Sequence, residues 1–268
     1  MNTHSYFLIS ARMDWFANAI TVLRSWFGAV CLACLVVSAQ AQEPSETGFK
    51  GDVGLGWLRE ETLKSAAPHE KSFIPYVYGD WGPWFARVDT FGIKTMPMGW
   101  GHLEVVYRNS GEGKTLMHSQ TRNKLSRSDP QLWGLGTFQE TSVGGFFLYG
   151  LHDQRSNGQL LELTYALELP VAGATLYPQF GIERRSANYV NKLYGVSATE
   201  AAAAGLASYK SGATNAYVWG LALEVPLQAQ WNLDWELSHT QLGSGLSRSP
   251  WVNKSTTVRH IIALVRHF

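Results

Sequence analysis

The sequence predicts an all-β protein, a transmembrane antiparallel β-barrel of about ten strands, or twelve, with one short helix in a long loop. Three observations support this prediction. Long stretches alternate apolar and polar residues with a period of two. An apolar leader precedes them, and no later stretch is apolar enough for a membrane-spanning helix. The final residue, Phe268, is an aromatic at the close of a predicted strand, which is typical of strands that close outer-membrane barrels.

The first 41 residues have the pattern of a secretory signal peptide. The apolar run WFGAVCLACLVV precedes small residues at Ala39 and Ala41, so we expect cleavage after Ala41. The run is too short to cross a bilayer as a helix, which needs about 20 apolar residues. Met13 is an alternative start that gives a leader of ordinary length. The barrel domain is therefore expected to comprise residues 42–268.

The composition excludes several classes of function. Both cysteines, Cys31 and Cys34, lie in the leader, so the exported domain has no disulfide, thiolate metal site or thiol nucleophile. The whole chain carries 22 basic and 21 acidic residues, and removal of the leader leaves a formal net charge of zero. A nucleic-acid-binding domain normally has a basic excess. We therefore expect no nucleic-acid partner.

The alternation is clearest in WNLDWELS, residues 231–238, where large apolar side chains share one face and polar side chains the other. The same pattern covers 161–169 and 216–225. Further strands are predicted near 49–59, 72–80, 84–95, 100–108, 138–152, 174–186 and 255–268. A soluble sandwich or lipocalin-like barrel also alternates. Aromatics near the strand ends, and an opposite face that mixes charged with small residues, favour the membrane barrel.

The predicted connections differ in length. Tight turns are predicted at 170–173 and 226–230, and long loops at 60–71, 187–213 and 242–254. Short periplasmic turns and longer outer loops are typical of outer-membrane barrels. With ten strands, the long polar segment 109–137 falls on the periplasmic side. If a further hairpin lies near 84–97, the barrel has twelve strands instead.

The longest loop contains the predicted helix. Residues 197–200 read Ser-Ala-Thr-Glu, the order of a capping box, four alanines follow, and Gly205 can supply a left-handed turn that ends the helix. Because so short a helix does not persist alone in water, it must dock on something. We hypothesise that residues 194–209 form a lid over or into the barrel mouth; a purely structural loop is the alternative. The candidate lid or partner contacts are Tyr194, Ser197, Glu200, Gly205, Leu206 and Tyr209.

A second candidate contact region is a basic segment without acidic residues, residues 114–127. A solvated loop is the simpler interpretation. The alternative is attraction to an anionic surface, which would be lipopolysaccharide phosphates outside, or murein and acidic partners inside. The candidate residues are Lys114, Arg122, Lys124 and Arg127.

No motif predicts a catalytic, metal or cofactor site. GEGKT, residues 111–115, resembles the end of a phosphate loop, but that motif needs a glycine at position 108, where this chain has Arg108. The seven histidines after the leader are scattered singly, without the spacing of metal ligands. An outer-membrane enzyme with His239 or His152 at the barrel rim is the alternative class.

Three segments carry a family resemblance. YGVSATEAAAAGLASYKSGA, residues 194–213, resembles the YGVS-x-x-x-A-x-x-x-GL-x-x-Y-x-x-G-A block of the MipA/OmpV family, which comprises outer-membrane proteins similar to the MltA-interacting scaffold of murein synthesis. SPWV at 249–252 and PYVYGDWGPWFA at 75–86 resemble further family segments in the same order. Two departures are Thr137, where the family usually has an acid, and Arg266, where an aromatic is expected.

The resemblance implies an outer-membrane scaffold, not an enzyme, that links a lytic transglycosylase with a murein synthase in cell-wall biogenesis. No cofactor is implied. Some relatives look like adhesins or antibiotic-response porins, so an adhesin or a small porin-like barrel is the alternative function. The expected partners are outer-membrane lipid, lipopolysaccharide and the two murein enzymes.

Overall fold

A computed structural model describes residues 48–61, 63, 69–113 and 127–268. The strands are β1 Phe49–Glu61, β2 His69–Trp81, β3 Trp84–Arg87, β4 Thr90–Met98, β5 Gly101–Asn109, β6 Gln131–Thr141, β7 Gly144–Asp153, β8 Gly158–Ala166, β9 Leu169–Val171, β10 Ala174–Arg185, β11 Thr214–Pro226, β12 Trp231–Gln241 and β13 Thr256–His267. The helices are α1 Ala187–Tyr194, α2 Ala198–Ala204 and α3 Ser244–Ser247. The described part of the chain thus has more helices than the one predicted. The predicted signal peptide, residues 1–41, lies outside the described residues.

The strands close into an antiparallel barrel of twelve strands. β8 and β9 together count as one barrel strand, because both pair with β10, and β1 pairs with β13 to complete the circle. At the seam, Phe268 donates its backbone N–H to the carbonyl of Gly51 at 2.9 Å, and its ring lies 6.2 Å from that of Phe49. The twelve-strand alternative is confirmed: the range predicted as strand 84–95 contains the hairpin β3–β4, and the range predicted as strand 138–152 contains parts of two strands, β6 and β7. The count of ten is wrong.

Twelve strands also decide which connections share an end of the barrel. We call the end that carries connections 110–130, 186–213 and 242–255 the loop end, and the end with turns 82–83 and 142–143 the turn end. The segment between β5 and β6 therefore lies at the loop end, with the helices. Ten strands would instead have placed this connection at the end of the short turns.

The two faces of the wall differ as the alternation predicts. In β12, Trp231 and Leu233 are exposed on the outer face, whereas Asn232 and Asp234 are buried in the lumen. Large exposed apolar side chains cover the outer wall around the barrel. They include Leu55, Phe73, Trp81, Trp84, Phe91, Trp133, Leu135, Leu148, Phe180, Trp219, Ile262 and Leu264. An apolar exterior around a polar interior is the pattern of a transmembrane barrel, and the reverse of a lipocalin-like one.

Arg266, the departure near the C-terminus, lies on this outer face. Its guanidinium donates a hydrogen bond to the side chain of Gln230 at 3.0 Å and lies 4.9 Å from the ring centroid of Phe268. Long basic side chains keep their charge in water by reaching towards the membrane interface. Arg266 reaches the polar turn between β11 and β12 in this way.

No helix in the described part of the chain is both long and apolar enough to cross a membrane.

Candidate functional site in the barrel lumen and mouth

α1 closes the mouth at the loop end and was not predicted from the sequence. Ser186 begins the helix by accepting a hydrogen bond from the backbone N–H of Tyr189 at 3.4 Å. The apolar side chains of α1 pack into the main core together with Leu246 of α3. These side chains are Tyr189, Val190, Leu193 and Tyr194. A signal was present, because Ser186 precedes an apolar pair that repeats after four residues, which is helical spacing.

Residues 194–209, which we call the lid after the hypothesis above, contain α2 with the predicted capping box. Whether they act as a lid or as a purely structural loop stays a prediction. The Ser197 hydroxyl accepts the backbone N–H of Glu200 at 3.3 Å, and the Glu200 carboxylate accepts the backbone N–H of Ser197 at 2.9 Å. Gly205 ends the helix in the left-handed region, at φ 65°. The backbones of Val196 and Tyr209 pair with each other at 2.9 and 2.8 Å. The two sides of the lid are therefore tied together.

The lid packs on Trp251, which is fully buried. Val196 and Ala201 are buried against this indole, whereas Leu206 and Tyr209 are half-buried beside it. The hydroxyl of Tyr209 also donates to the carbonyl of Gly245 at 3.1 Å. The structure thus places Leu206 and Tyr209 in one small cluster with Trp251, a residue that the sequence analysis did not select.

Tyr194 lies deeper than the other candidate lid residues. Its side chain is buried, and its hydroxyl donates to the Glu112 carboxylate at 3.3 Å. The Ser249 hydroxyl donates to the backbone carbonyl of Tyr194 at 2.6 Å. Tyr194 therefore joins the lid to both neighbouring loops.

Arg127 is inside the mouth and fixes the lid. Its guanidinium donates to the Glu200 carboxylate at 2.8 Å and to the Gly195 carbonyl at 2.7 Å, and it lies 5.2 Å from the Trp251 ring centroid. Partial burial raises the pKa of the Glu200 carboxyl, but the hydrogen bonds from Arg127 and Ser197 outweigh this effect and hold that pKa below its usual value. The other three candidates of the basic segment, Lys114, Arg122 and Lys124, lie outside the described residues.

Below the mouth, a buried ionic network lies on the lumen side of the wall. Arg87 makes a two-point contact with the Glu104 carboxylate at 3.1 and 3.2 Å. The Tyr149 hydroxyl donates to the same carboxylate at 2.8 Å. Tyr149 lies flat against Gly136 on the neighbouring strand, where a Cβ would collide with its ring. Three strands, β3, β5 and β7, are thus linked through the interior.

Two further arginines form ion pairs nearer the mouth. Arg108 contacts the Glu162 carboxylate and donates to the Thr90 hydroxyl at 2.7 Å. Arg185 contacts Glu183 and pairs with Glu112 at 2.8 Å. Buried charges persist in a protein when they are paired and hydrogen-bonded. Such pairs fill the interior of a small barrel, as side chains are expected to do at this size.

Residues of the ionic networks line two cavities. A cavity of about 360 Å³ lies below the lid and includes Asp89, Glu112, Arg185 and Tyr194 in its lining. A cavity of about 220 Å³ lies near the turn end, beside Arg87 and Glu104. The two cavities share no lining residue.

The two histidines of the alternative enzymatic interpretation lie on the outer wall. The His239 ring packs against Trp219, with 5.8 Å between centroids, and His152 belongs to the outward-facing set of β7. They do not converge in the lumen. The described residues also contain no group of three or more His, Cys, Asp or Glu side chains that could hold a metal ion.

The family model described as MltA-interacting protein MipA matches residues 53–268. The chain belongs to this family. Together with the apolar outer wall, and with relatives named as outer-membrane proteins, membership places the protein in the outer membrane. The resemblance carried by the lid sequence is confirmed.

Relatives within the MipA family are distant. Outer membrane protein Omp26La of Vibrio anguillarum is 30% identical over 109 residues, which cover 40% of this chain and 42% of that protein. The MltA-interacting protein of Escherichia coli K12 is 27% identical over 164 residues, which cover 59% of this chain and 62% of that protein. The matches thus span less than two thirds of these curated relatives. The structure of OprB of Pseudomonas putida is similar over 97% of this chain and 99% of its own length, with 9% sequence identity and a TM-score of 0.34.

Proposed function

We propose that the protein is a non-enzymatic scaffold that binds a murein lytic transglycosylase at the outer membrane and, through it, a murein synthase. Family membership carries the proposal, since a relative in the family is named MltA-interacting protein. A murein enzyme works in the periplasm. In an outer-membrane barrel with long outer loops and short periplasmic turns, it would meet the turn end.

The turn end offers a fixed apolar contact for such a partner. Trp100, at the tip of the β4–β5 turn, is 76% exposed. Gln139 accepts the backbone N–H of Trp100 at 2.8 Å and donates to the carbonyl of Met98 at 2.8 Å, so the turn is held in place. Val143 is exposed at the next turn. Large aromatic side chains held in position are common anchors of protein interfaces.

Binding of a purified lytic transglycosylase from the same organism to the full-length barrel in lipid nanodiscs tests the proposal. We expect saturable binding that the double variant Trp100→Ser, Val143→Ser weakens about tenfold, which corresponds to the loss of one good anchor. The matched loop-end variant Ala202→Gln should bind normally, because Ala202 is exposed on the opposite end. If the transglycosylase binds no better than to an unrelated outer-membrane barrel, the scaffold proposal is wrong.

One observation favours an adhesin as the second candidate. The lid presents α2 at the loop end with only Ala201 of its residues buried, so most of the helix is available to an extracellular surface. Adhesion of cells that display the barrel, compared with cells that display a variant lacking 198–204, distinguishes this function. The porin-like alternative is less well supported, because buried ion pairs and their hydrogen-bond partners occupy part of the lumen.

A further inference from the structure

The barrel wall is uneven at the loop end. β2 pairs with β3 only from Tyr78 to Trp81, because β3 ends at Arg87 and the chain turns back at residues 88–89. One more hydrogen bond follows, from the Val88 N–H to the Val77 carbonyl at 2.9 Å. β2 continues towards the loop end as far as His69, and no described strand pairs with this stretch on the β3 side. We call this gap in the wall, above the β3–β4 turn, the notch.

Pro75 lies on the edge of β2 that borders the notch. Since Val77 directs its carbonyl towards β3, the backbone of Pro75, two residues away, faces the same side. Proline has no N–H to donate, so it is confined to strand edges, bulges or strand starts. Its presence here fits an edge that is built to remain open.

The cavity below the lid reaches the outer wall through the notch. Most of its lining consists of lumen-facing side chains, but Pro75 and Phe91 also line it, and both belong to the outward-facing sets of their strands. Phe91 is 52% exposed on the outer wall. The cavity is therefore continuous with the membrane side of the barrel at this position.

An apolar hollow lies directly below the notch on the outer wall, and Phe91 borders it as well. Gly79 and Ala86 are register partners in its floor, and the Phe49 ring packs over Gly79. Its volume is about 730 Å³. The rim is formed by the aromatic side chains of Trp81, Trp84, Phe91, Tyr107 and Trp133.

Among the described residues that line the cavity behind the notch, acidic side chains outnumber basic ones, and Lys254, which is outside this lining, pairs with Glu61 at 3.3 Å. Five carboxylates line the cavity, against two guanidinium groups, those of Arg185 and Arg259. The carboxylates are Glu60, Glu61, Asp89, Glu112 and Glu183. A pocket of this charge attracts cationic groups and disfavours anionic ones.

We propose that the notch is a lateral portal for a cationic amphiphile with one apolar chain. The apolar chain lies in the hollow over Gly79 and Ala86, and the protonated amine passes the β3–β4 turn into the cavity beside Asp89. The amphiphile thus enters from the membrane and not through the lid. This inference is independent of the scaffold function, which uses the turn end.

Calorimetric titration of the full-length barrel in phosphatidylcholine nanodiscs, with empty nanodiscs as reference, tests the portal. The probes are dodecylamine, dodecyl sulfate and butylamine. We expect saturable binding of dodecylamine, at least about tenfold tighter than that of dodecyl sulfate because of the cavity charge, and tighter than butylamine because each buried methylene contributes about 0.8 kcal/mol.

Substitutions in the hollow and in the cavity test which part of the site binds the apolar chain and which binds the amine. Ala86→Leu fills the hollow and should weaken dodecylamine binding several-fold, because the leucine side chain takes the place of the apolar chain. The control Gly150→Leu adds bulk to the outer wall of β7, where a Cβ would meet only ordinary contacts, and should change binding less than about twofold. Asp89→Asn should weaken the binding of dodecylamine and not the binding of dodecyl sulfate. If Asp89→Asn does not fold, as judged by heat-modifiable gel mobility, Glu60→Gln is tested instead.

Three results would overturn the portal. Dodecylamine uptake equal to that of empty nanodiscs means partition into the bilayer only. Equal binding of butylamine means that amines enter from water. Equal weakening by Ala86→Leu and Gly150→Leu means that the hollow has no special role. None of these results affects the transglycosylase binding expected at the turn end.

Discussion

At the loop end the connection 186–213 folds two helices into and over the mouth, whereas at the turn end neighbouring strands are joined by connections of two to four residues. The loop end is held by packing, with Trp251 fully buried between the lid and the neighbouring loops. At the turn end, Trp100 is exposed. The part of the lumen near this end is held by the Arg87–Glu104–Tyr149 network. We infer that truncation of a buried side chain destabilises the loop end most. Removal of one member of a buried ion pair destabilises the turn end most.

The largest expected effect concerns the turn-end network. Glu104→Ala leaves the Arg87 guanidinium, whose side chain is only 10% exposed, without its acid. Breaking a buried ion pair from one side typically costs about 3–5 kcal/mol. We expect a lower urea midpoint for the barrel in lipid, with Glu140→Ala, an exposed acid at the same end, as the control.

The same network makes a prediction for conduction. Wild-type barrels should show little conductance in planar bilayers, and the double variant Arg87→Ala, Glu104→Ala should show more, because it removes two paired side chains that line the cavity near the turn end. A stable large conductance in the wild type would contradict this and favour the porin-like function.

Two tryptophans at opposite ends provide the next comparison. Trp251→Ala should cost about 3–5 kcal/mol, the usual range for a buried Trp-to-Ala change, and should release the lid. Trypsin would then cleave after the exposed Lys210 while the barrel stays folded. Trp100→Ala should leave cleavage at Lys210 unchanged. Equal cleavage in both variants would show that the lid does not depend on Trp251.

A smaller effect is expected within α2. Ala201 is 8% exposed and packs near Trp251, whereas Ala202 is exposed. Ala201→Gln overpacks the contact and should destabilise the lid by about 1–3 kcal/mol. Ala202→Gln should lie within about 0.5 kcal/mol of the wild type. Hydrogen exchange of the lid amides distinguishes the two, and equal exchange would mean that α2 does not dock through Ala201.

The smallest effect is a pH dependence at the lid. Since the pKa of Glu200 is lowered in the folded protein, its pairing with Arg127 stabilises the lid above the ordinary glutamate pKa, and this contribution is lost as the pH falls through the lowered value. Because the Glu200 side chain is 31% exposed, solvent screens the pair, which should contribute no more than about 1 kcal/mol. Wild type and Glu200→Gln should therefore differ in lid exchange near neutral pH and converge in acid. A constant difference at all pH values would exclude the pair as the cause.

Much of the wall was predictable because its signal is local. In β12 the alternation of apolar and polar residues predicts that Trp231 and Leu233 face lipid. In the structure both are exposed on the outer face, and Asn232 and Asp234 are buried. The capping box of α2 was equally readable, since Ser197, Glu200 and Gly205 lie within one short segment. The count of twelve was left open, because β3 has only four residues and gives little alternation to detect.

The amino-acid sequence by itself determined the membrane-facing pattern, the family and the helix α2 with its capping box, since each depends on neighbouring residues. Only the tertiary structure decided which charges meet. Glu162 lies 54 positions from Arg108, and Glu200 lies 73 from Arg127. These pairs follow from strand register and barrel closure, which no local pattern encodes. The notch likewise exists only because a short hairpin closes beside a long strand.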